Sequence, residues 1–505
     1  MSARAGIAAG HKLTAQAGAE VLAEGGSAAD AAVASIFTAC VCEPVLASPA
    51  GGGFAMVAGT TKPACLDFFV HTPCFPQGKR HEGLAEVEAD FGGVTQAFHI
   101  GPGSVATPGL LPGLFQLHDR YGRLPMTRLA EYAIEHAKNG FPISTFQARL
   151  AQIVSPILLA TPEARTLHAP EGALRSADAV FTNPPLADAL DALANEGLRI
   201  ATEGEIAQAM LSASAGGHLT GEDLKAYQPV WREPLIRSVG GKRASADASA
   251  GGGPSWQVSL NPSPSAGGGL ISAILASYSG GSSFNPLGFA RGMDLVDRRW
   301  RALGKPSGFD ERMLLADPAP VAVKGTTHVS VIDKDGMSVA LTVSNGEGNG
   351  AIVPNCGFML NNMLGEDDLL QDGPGSWTPD TRLASMMAPT VAANEKGGLL
   401  AAGSGGSNRI RSAMANVLIR RLVCQQPLEE AIRAPRLHVE AGHLDVEPGF
   451  DPEPLQQAFD DHRLWDAPSM FFGGVHGVER VVNSNGRFSI EGAGDDRREG
   501  VFVTV

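Results

Sequence analysis

The chemistry in this chain gathers around Thr326 and Thr327, which follow Gly325 and precede His328 in the run GTTHVSVIDKDGMSVALTVSNGEGNG. A threonine hydroxyl is a weak nucleophile until a base takes its proton, so what matters is which groups the chain brings to it. Asp335-Gly336 lies between two runs rich in β-branched residues, a strong hairpin signal. A three-residue loop centred on Asp335 sets Ser344 opposite Thr326, and a one-residue slip sets Asn345 there instead. Directly opposed Cβ atoms are about 5 Å apart, which brings the Ser344 hydroxyl within reach of the Thr326 hydroxyl. Read alone, the segment is an ordinary surface hairpin with strand threonines.

A second patch has anion-binding character. Leu399 to Ala402 reads as a short strand, Gly403-Ser404-Gly405-Gly406-Ser407 as a turn, and Ile410, Met414, Val417, Leu418 and Leu422 recur at helical spacing. Strand, glycine turn and helix N-terminus in that order turn unpaired backbone N–H groups toward an anion, although a plain βα turn has the same pattern. Gly346 to Gly350 (GEGNG) has the look of a nucleotide loop, but no helix follows it, which argues against that use. HExxH, Walker and GxSxG signatures are absent.

The elements that must position these groups are legible upstream. Leu13 to Glu24 reads as a helix stopped by Gly25-Gly26, and Ser27 caps a second helix running from Ala28 to Cys42, apolar on most sides and ended by Glu43-Pro44. Gly51-Gly52-Gly53 permits close backbone packing before a strand from Phe54 to Gly59. Helices broken by Gly122 and Pro125 follow the loop that starts at Gly103. Thr220 caps a short helix ahead of Tyr227, and further helices start near Leu270 and span Arg291 to Leu303. Gly240 to Gly253 reads as a flexible surface loop, and the residues up to Lys324 as an irregular approach to the threonine pair.

With 505 residues, 44% of them apolar, the chain can bury a large core. Its net charge of -14 argues against nucleic acid or an anionic membrane as partner and favours small molecules or short peptides. No signal peptide or membrane-length apolar run is visible, which predicts a soluble, cytoplasmic protein. The six cysteines lack CxxC spacing and read as buried free thiols.

Taken together, these segments resemble the γ-glutamyltransferase (γ-glutamyltranspeptidase) family of N-terminal nucleophile hydrolases. The matching stretches are GGSAADAAVA, ATPGLLPG, GGHLTGEDLKAY, NPSPSAGG, TTHVSVIDKDG, GFMLNNML, GSGGSNRIRSA and APRLHVE, which span nearly the whole chain. The resemblance implies an α+β fold, a four-layer αββα sandwich made as one precursor that cuts itself at Gly325-Thr326. Residues 1–325 would form the large segment and 326–505 the small one, associated in one globular unit. It further implies Thr326 as nucleophile, Ser344 as the neighbouring hydroxyl, and the N–H groups of Gly405 and Gly406 as the oxyanion site. No metal or organic cofactor is implied, and a homodimer is compatible with the sequence without being specified by it.

The implied substrate pocket departs from the family. Phe69 stands where the family has the arginine that grips the donor α-carboxylate, Ala384-Ser385 replaces a pair of serines, and Met363 replaces a glutamine. Glu366, with Asp367 beside it, matches the acid that binds the donor amine, and Asn345 is the nearest match to the family asparagine. Arg382 offers a replacement cation or a structural arginine, while His71 and His328 read as packed histidines. Three functions follow: a γ-glutamyltransferase or glutathione hydrolase-like enzyme, an acylase of the same mechanism for another amide, or an uncut binding protein.

Overall fold

The computed structural model describes residues 4–59, 62–74, 82–90, 95–240, 254–304, 325–366, 370, 373, 375–483 and 485–505. The loop expected at 241–253, the approach at 305–324 and Asp367 lie outside the described residues.

Two antiparallel sheets form the centre. In chain order their strands are β1 (Gly6–Ala9), β2 (Gly52–Ala58), β3 (Ala64–Phe68), β4 (Val230–Arg232), β5 (Leu235–Gly240), β6 (Ser255–Leu260) and β7 (Thr327–Ile332). They continue as β8 (Ser338–Ser344), β9 (Thr390–Asn394), β10 (Leu399–Gly405), β11 (Gly474–Val482), β12 (Phe488–Ala493) and β13 (Val501–Thr504). The first sheet runs β13-β1-β7-β8-β2-β3-β4 and the second β12-β11-β10-β9-β6-β5.

Side-chain alternation explains the layering. Ile7, Ala9, Ala55, Val57, Leu66, Val329 and Val331 point to one apolar cluster with the helices α1 (Lys12–Ala23), α2 (Ala28–Cys42), α3 (Leu110–Tyr121) and α4 (Met126–Asn139). Their chain neighbours Ala8, Phe54, Met56, Cys65 and Ile332 point to a second cluster, shared with Val258, Val391, Leu400 and Val475 of the other sheet. The period of two assigns alternate residues to opposite faces. Beyond the second sheet lie α5 (Gly267–Ser277), α6 (Pro286–Ala302) and α7 (Arg409–Leu418). The fold is the α+β, four-layer αββα sandwich.

The capping chemistry is as the sequence predicts. Ser27 and Asp30 form a reciprocal capping box at the start of α2, all fifteen residues of which are buried. Thr220 forms another with Asp223.

The hairpin is a correction. β7 and β8 are buried along their whole length, in the middle of the first sheet. The polar face that suggested a surface lies against the second sheet, where its groups satisfy one another. Ser330 Oγ donates to the His476 carbonyl at 3.1 Å and therefore accepts from His328 Nε2 at 2.8 Å, which leaves Nδ1 to accept from Thr342 Oγ1 at 2.7 Å. His328 is thus a neutral, doubly hydrogen-bonded core histidine.

Candidate active site

The register centred on Asp335 holds. Thr327 pairs with Val343 and Ile332 with Ser338, and one step beyond the Thr327–Val343 pair the same register sets Ser344 opposite Thr326. The Ser344 proton, however, goes to Gly325 and not to the Thr326 hydroxyl. Ser344 Oγ donates to the Gly325 carbonyl oxygen at 2.6 Å and accepts the N–H of Gly346 at 3.1 Å. The Gly325 N–H donates to Glu347 Oε1, also at 2.6 Å. The residue preceding the candidate nucleophile is therefore held at both its carbonyl and its amide.

Glu43, the residue after α2, fixes the start of β7. Its buried carboxylate accepts the hydroxyls of Thr14 and Thr327, each at 2.7 Å, and burial raises its pKa against the opposing effect of those two donors. His476 converges on the same place: a Cβ built on Gly10 would lie 3.0 Å from Thr327 Oγ1, 3.2 Å from Glu43 Oε2 and 3.3 Å from His476 Nε2. His476 Nδ1 accepts the Asp495 N–H, so its Nε2 carries the proton, and burial lowers its pKa to about 4.

β10 runs on through Gly403, Ser404 and Gly405, which the sequence reading set in a turn, and its end packs on Thr326. A Cβ on Gly405 would lie 2.2 Å from the Thr326 carbonyl oxygen, and Gly406 adopts φ +120°, which side chains rarely tolerate. Arg498 flanks both glycines and donates from Nη1 to the Thr326 carbonyl at 3.3 Å; burial lowers its pKa to about 10. The sequence reading missed Glu43, Glu347 and Arg498. Their signals were slight: the acid of the Glu43-Pro44 helix stop, a glutamate inside the discounted GEGNG loop, and one arginine in a charged C-terminal run.

The remaining predicted residues divide into two groups. Asn345 and Glu366 are buried beside the candidate site; Asn345 Nδ2 donates to the Leu360 carbonyl at 3.4 Å, and Glu366 Oε1 lies 2.3 Å from a Cβ built on Gly346. Phe69 and Met363 belong instead to the apolar cluster between the sheets, Phe69 stacking on Phe54 with ring centroids 5.6 Å apart. Ser385 Oγ accepts the Met387 N–H at 3.1 Å, and its carbonyl takes the N–H groups of Ala266 and Gly267. Arg382 donates to the carbonyls of Phe69 (2.5 Å) and Gln228 (2.6 Å) and to the Tyr227 hydroxyl, a structural use of Nη1 and Nη2, while its Nε lies 4.0 Å from Asp67 Oδ1 without a hydrogen bond. His71 exchanges backbone hydrogen bonds with Thr107.

Among the described residues no cluster of His, Cys, Asp and Glu fits a metal ion, and no helix is long and apolar enough to cross a membrane.

Known proteins match over most or nearly all of the chain. A glutathione hydrolase proenzyme of Escherichia coli is 27% identical over 512 residues, covering 90% of this chain and 84% of the relative. An acylase ACY 1 proenzyme of Pseudomonas sp. (strain V22) is 26% identical over 546 residues, covering 99% and 93%. A crystal structure of cephalosporin acylase from Bacillus halodurans superposes with a TM-score of 0.80 at 20% identity, covering 99% of this chain and 96% of that one, a likeness of fold. The family model described as gamma-glutamyltranspeptidase matches residues 14–284 and 305–505, and the chain belongs to the γ-glutamyltranspeptidase family.

Proposed function

We propose that this protein is a self-maturing N-terminal threonine amidohydrolase and acyltransferase whose acyl donor is not gripped through an α-carboxylate. The observation that carries the reading is the hold on Gly325, by the Ser344 hydroxyl at its carbonyl and Glu347 at its amide, both at 2.6 Å. In the first step the Thr326 Oγ bonds to the Gly325 carbonyl carbon and its proton passes to the Thr326 nitrogen. The C–N bond breaks and an ester forms. Water then hydrolyses the ester, leaving a carboxylate on Gly325 and a free α-amine on Thr326. That amine, with a reference pKa of about 7.7–8.0, serves as base for its own hydroxyl in later turnovers. The donor acyl group passes to Oγ, the N–H groups of Gly405 and Gly406 take its oxyanion as the resemblance implies, and water or an amine removes it; the packing of Gly405 and Arg498 on the Thr326 carbonyl supports this reading.

The choice of donor follows from Phe69, Met363 and Arg382. Of the positions that the resemblance assigns to the donor carboxylate, Phe69 lies in an apolar cluster and Ala384 has lost a hydroxyl; Met363 adds a further apolar side chain, and Arg382 spends two of its nitrogens on groups of the protein itself. A γ-glutamyl donor, as the names of the glutathione hydrolase relatives suggest, is the second reading, favoured by buried Glu366 at the amine-binding position. Intact-mass analysis at neutral pH tests maturation: two fragments divided between Gly325 and Thr326 are expected, and a persistent full-length chain would favour a binding protein. Comparing glutaryl, aliphatic and γ-glutamyl anilides then tests the donor, and dominant γ-glutamyl turnover would favour the second reading.

A further inference from the structure

The turn after α2 touches Gly325, where a Cβ would lie 3.3 Å from Leu46 Cδ2 and 3.4 Å from the Val45 carbonyl oxygen. Val45 also lines a cavity of about 40 Å³, with Phe141, Leu158 and Phe181 as further apolar walls. None of the candidate active-site residues lines it. A buried water needs roughly 10–15 Å³, so this space takes a group of several non-hydrogen atoms. Ala151, Leu174 and Arg175 line it as half-buried residues, which leaves a way in from solvent.

Three polar atoms on these walls have no hydrogen bond among the described residues. Gln147, 6% exposed, gives its backbone N–H to Ser144 Oγ at 3.2 Å at the start of the helix Thr145–Ile153, but its side-chain Nε2 and Oε1 are both unpaired. Arg175 donates from Nη1 to the Val180 carbonyl at 3.2 Å and lies over the Phe181 ring, 5.7 Å from its centroid, while its Nε is unpaired. His168 stacks on the same ring, and burial lowers its pKa to about 4, so it is neutral near pH 7.

Two donors and one acceptor thus face one small apolar cavity, and buried polar groups left unpaired are costly. The Gln147 amide presents its donor and acceptor side by side, so straight bonds to both need two different atoms, also side by side. A hydroxyl offers a single atom. A carboxylate serves the two donors but sets an oxygen against Oε1, and a carboxylic acid is ionised near pH 7. A trans peptide bond turns its N–H away from its own carbonyl. A primary carboxamide answers all three atoms: its oxygen takes Gln147 Nε2 and Arg175 Nε, and the N–H on the same side donates to Oε1. We propose that this cavity binds a short-chain primary carboxamide, paired with the Gln147 side chain, at a place separate from the Gly325-Thr326 bond. Its alkyl chain lies against Val45, Leu158 and Phe181.

The test is saturation-transfer magnetic resonance on the full chain, titrated with propionamide, N-methylpropionamide and propionate at pH 7. It requires neither cleavage nor turnover, and so stands apart from the role of Thr326. Wild type is expected to bind propionamide saturably, and the N-methyl amide and propionate more weakly by about tenfold or more, the effect of losing one or two hydrogen bonds. Gln147→Leu should weaken propionamide by a similar factor. Leucine replaces unpaired polar atoms with apolar ones, so the fold should hold. Ala151→Met, which narrows the cavity from its half-buried side, should also weaken binding, and it carries the test if Gln147→Leu does not fold.

Propionamide without a saturable signal overturns the inference and leaves the three atoms to water. An equal affinity in wild type and in the folded variants places the amide elsewhere, the acyl site included, and overturns it too. Propionate or N-methylpropionamide binding as tightly as propionamide would do the same, since neither can form the paired bonds with Gln147.

Discussion

Gly405 faces the carbonyl of Thr326 so closely that a β-carbon there would lie 2.2 Å from its oxygen, a backbone atom, and 2.9 Å from Arg498 Nη1. Gly405→Ala must therefore move β10 or the start of β7. Lost maturation is expected, with destabilisation of about 1–3 kcal/mol. Gly281, with open space around its Cα, is the control: Gly281→Ala should change stability by less than about 0.5 kcal/mol. Intact mass and denaturant titration read both effects.

Thr326→Ala removes the attacking oxygen. The chain is expected to stay whole and inactive, while Thr326→Ser should still split. A Thr326→Ala protein that divides at Gly325 would exclude Thr326 as the nucleophile.

Ser344→Ala removes the donor on the carbonyl that gains negative charge during self-cleavage. By analogy with other oxyanion donors, the rate of splitting should fall by about 10²–10³-fold. Ser344→Thr should recover much of it. Time-resolved intact mass of freshly refolded precursor measures both.

Phe69→Arg restores the family residue by name but places a cation in an apolar cluster between two sheets. A loss of several kcal/mol is expected in place of a gain of γ-glutamyl turnover. A stable Phe69→Arg protein with raised γ-glutamyl activity would mean that the pocket accepts a carboxylate clamp after all.

Acid should destabilise the fold through its buried histidines. Burial lowers the pKa of His476 to about 4 from an ordinary 6.5, and that of His328 well below the ordinary value. Between those limits the unfolded chain binds more protons than the folded one, so this contribution is complete above pH 6.5 and is lost as pH falls toward 4. Each such group gives a slope of about 1.4 kcal/mol per pH unit in that window. Unfolding titrations across it should show the decline, and His476→Gln should flatten part of it.

Local signals carried much of the fold. Asp335-Gly336 set the register that puts Ser344 opposite Thr326, Ser27 and Asp30 marked the start of α2, and Gly122 with Pro125 marked the break between α3 and α4. Distant partnerships had no such signal. Glu43 meets Thr327 across 284 positions, and neither residue's neighbours hint at the other. The hairpin misled because a polar strand face buried against a second sheet alternates in sequence like one facing water. Glu347 was hidden by its loop, since left-handed glycines on either side leave no periodicity to read. Arg382 had an ambiguous reading because a guanidinium that serves carbonyls and one that awaits a ligand look alike in sequence.

The strand order β13-β1-β7-β8-β2-β3-β4 interleaves the chain before Gly325 with the chain after it. β1 is paired on one side with β7 and on the other with β13, while β8 is paired with β2. A cut at Gly325-Thr326 would break a covalent link while leaving those ladders in place. The two pieces would be laced together like fingers of two hands, and neither could depart without dismantling the sheet that both complete. Their union would need no encounter and obey no dilution law: it would last as long as the fold, and every nucleophile exposed by the cut would keep the partner it was synthesised with.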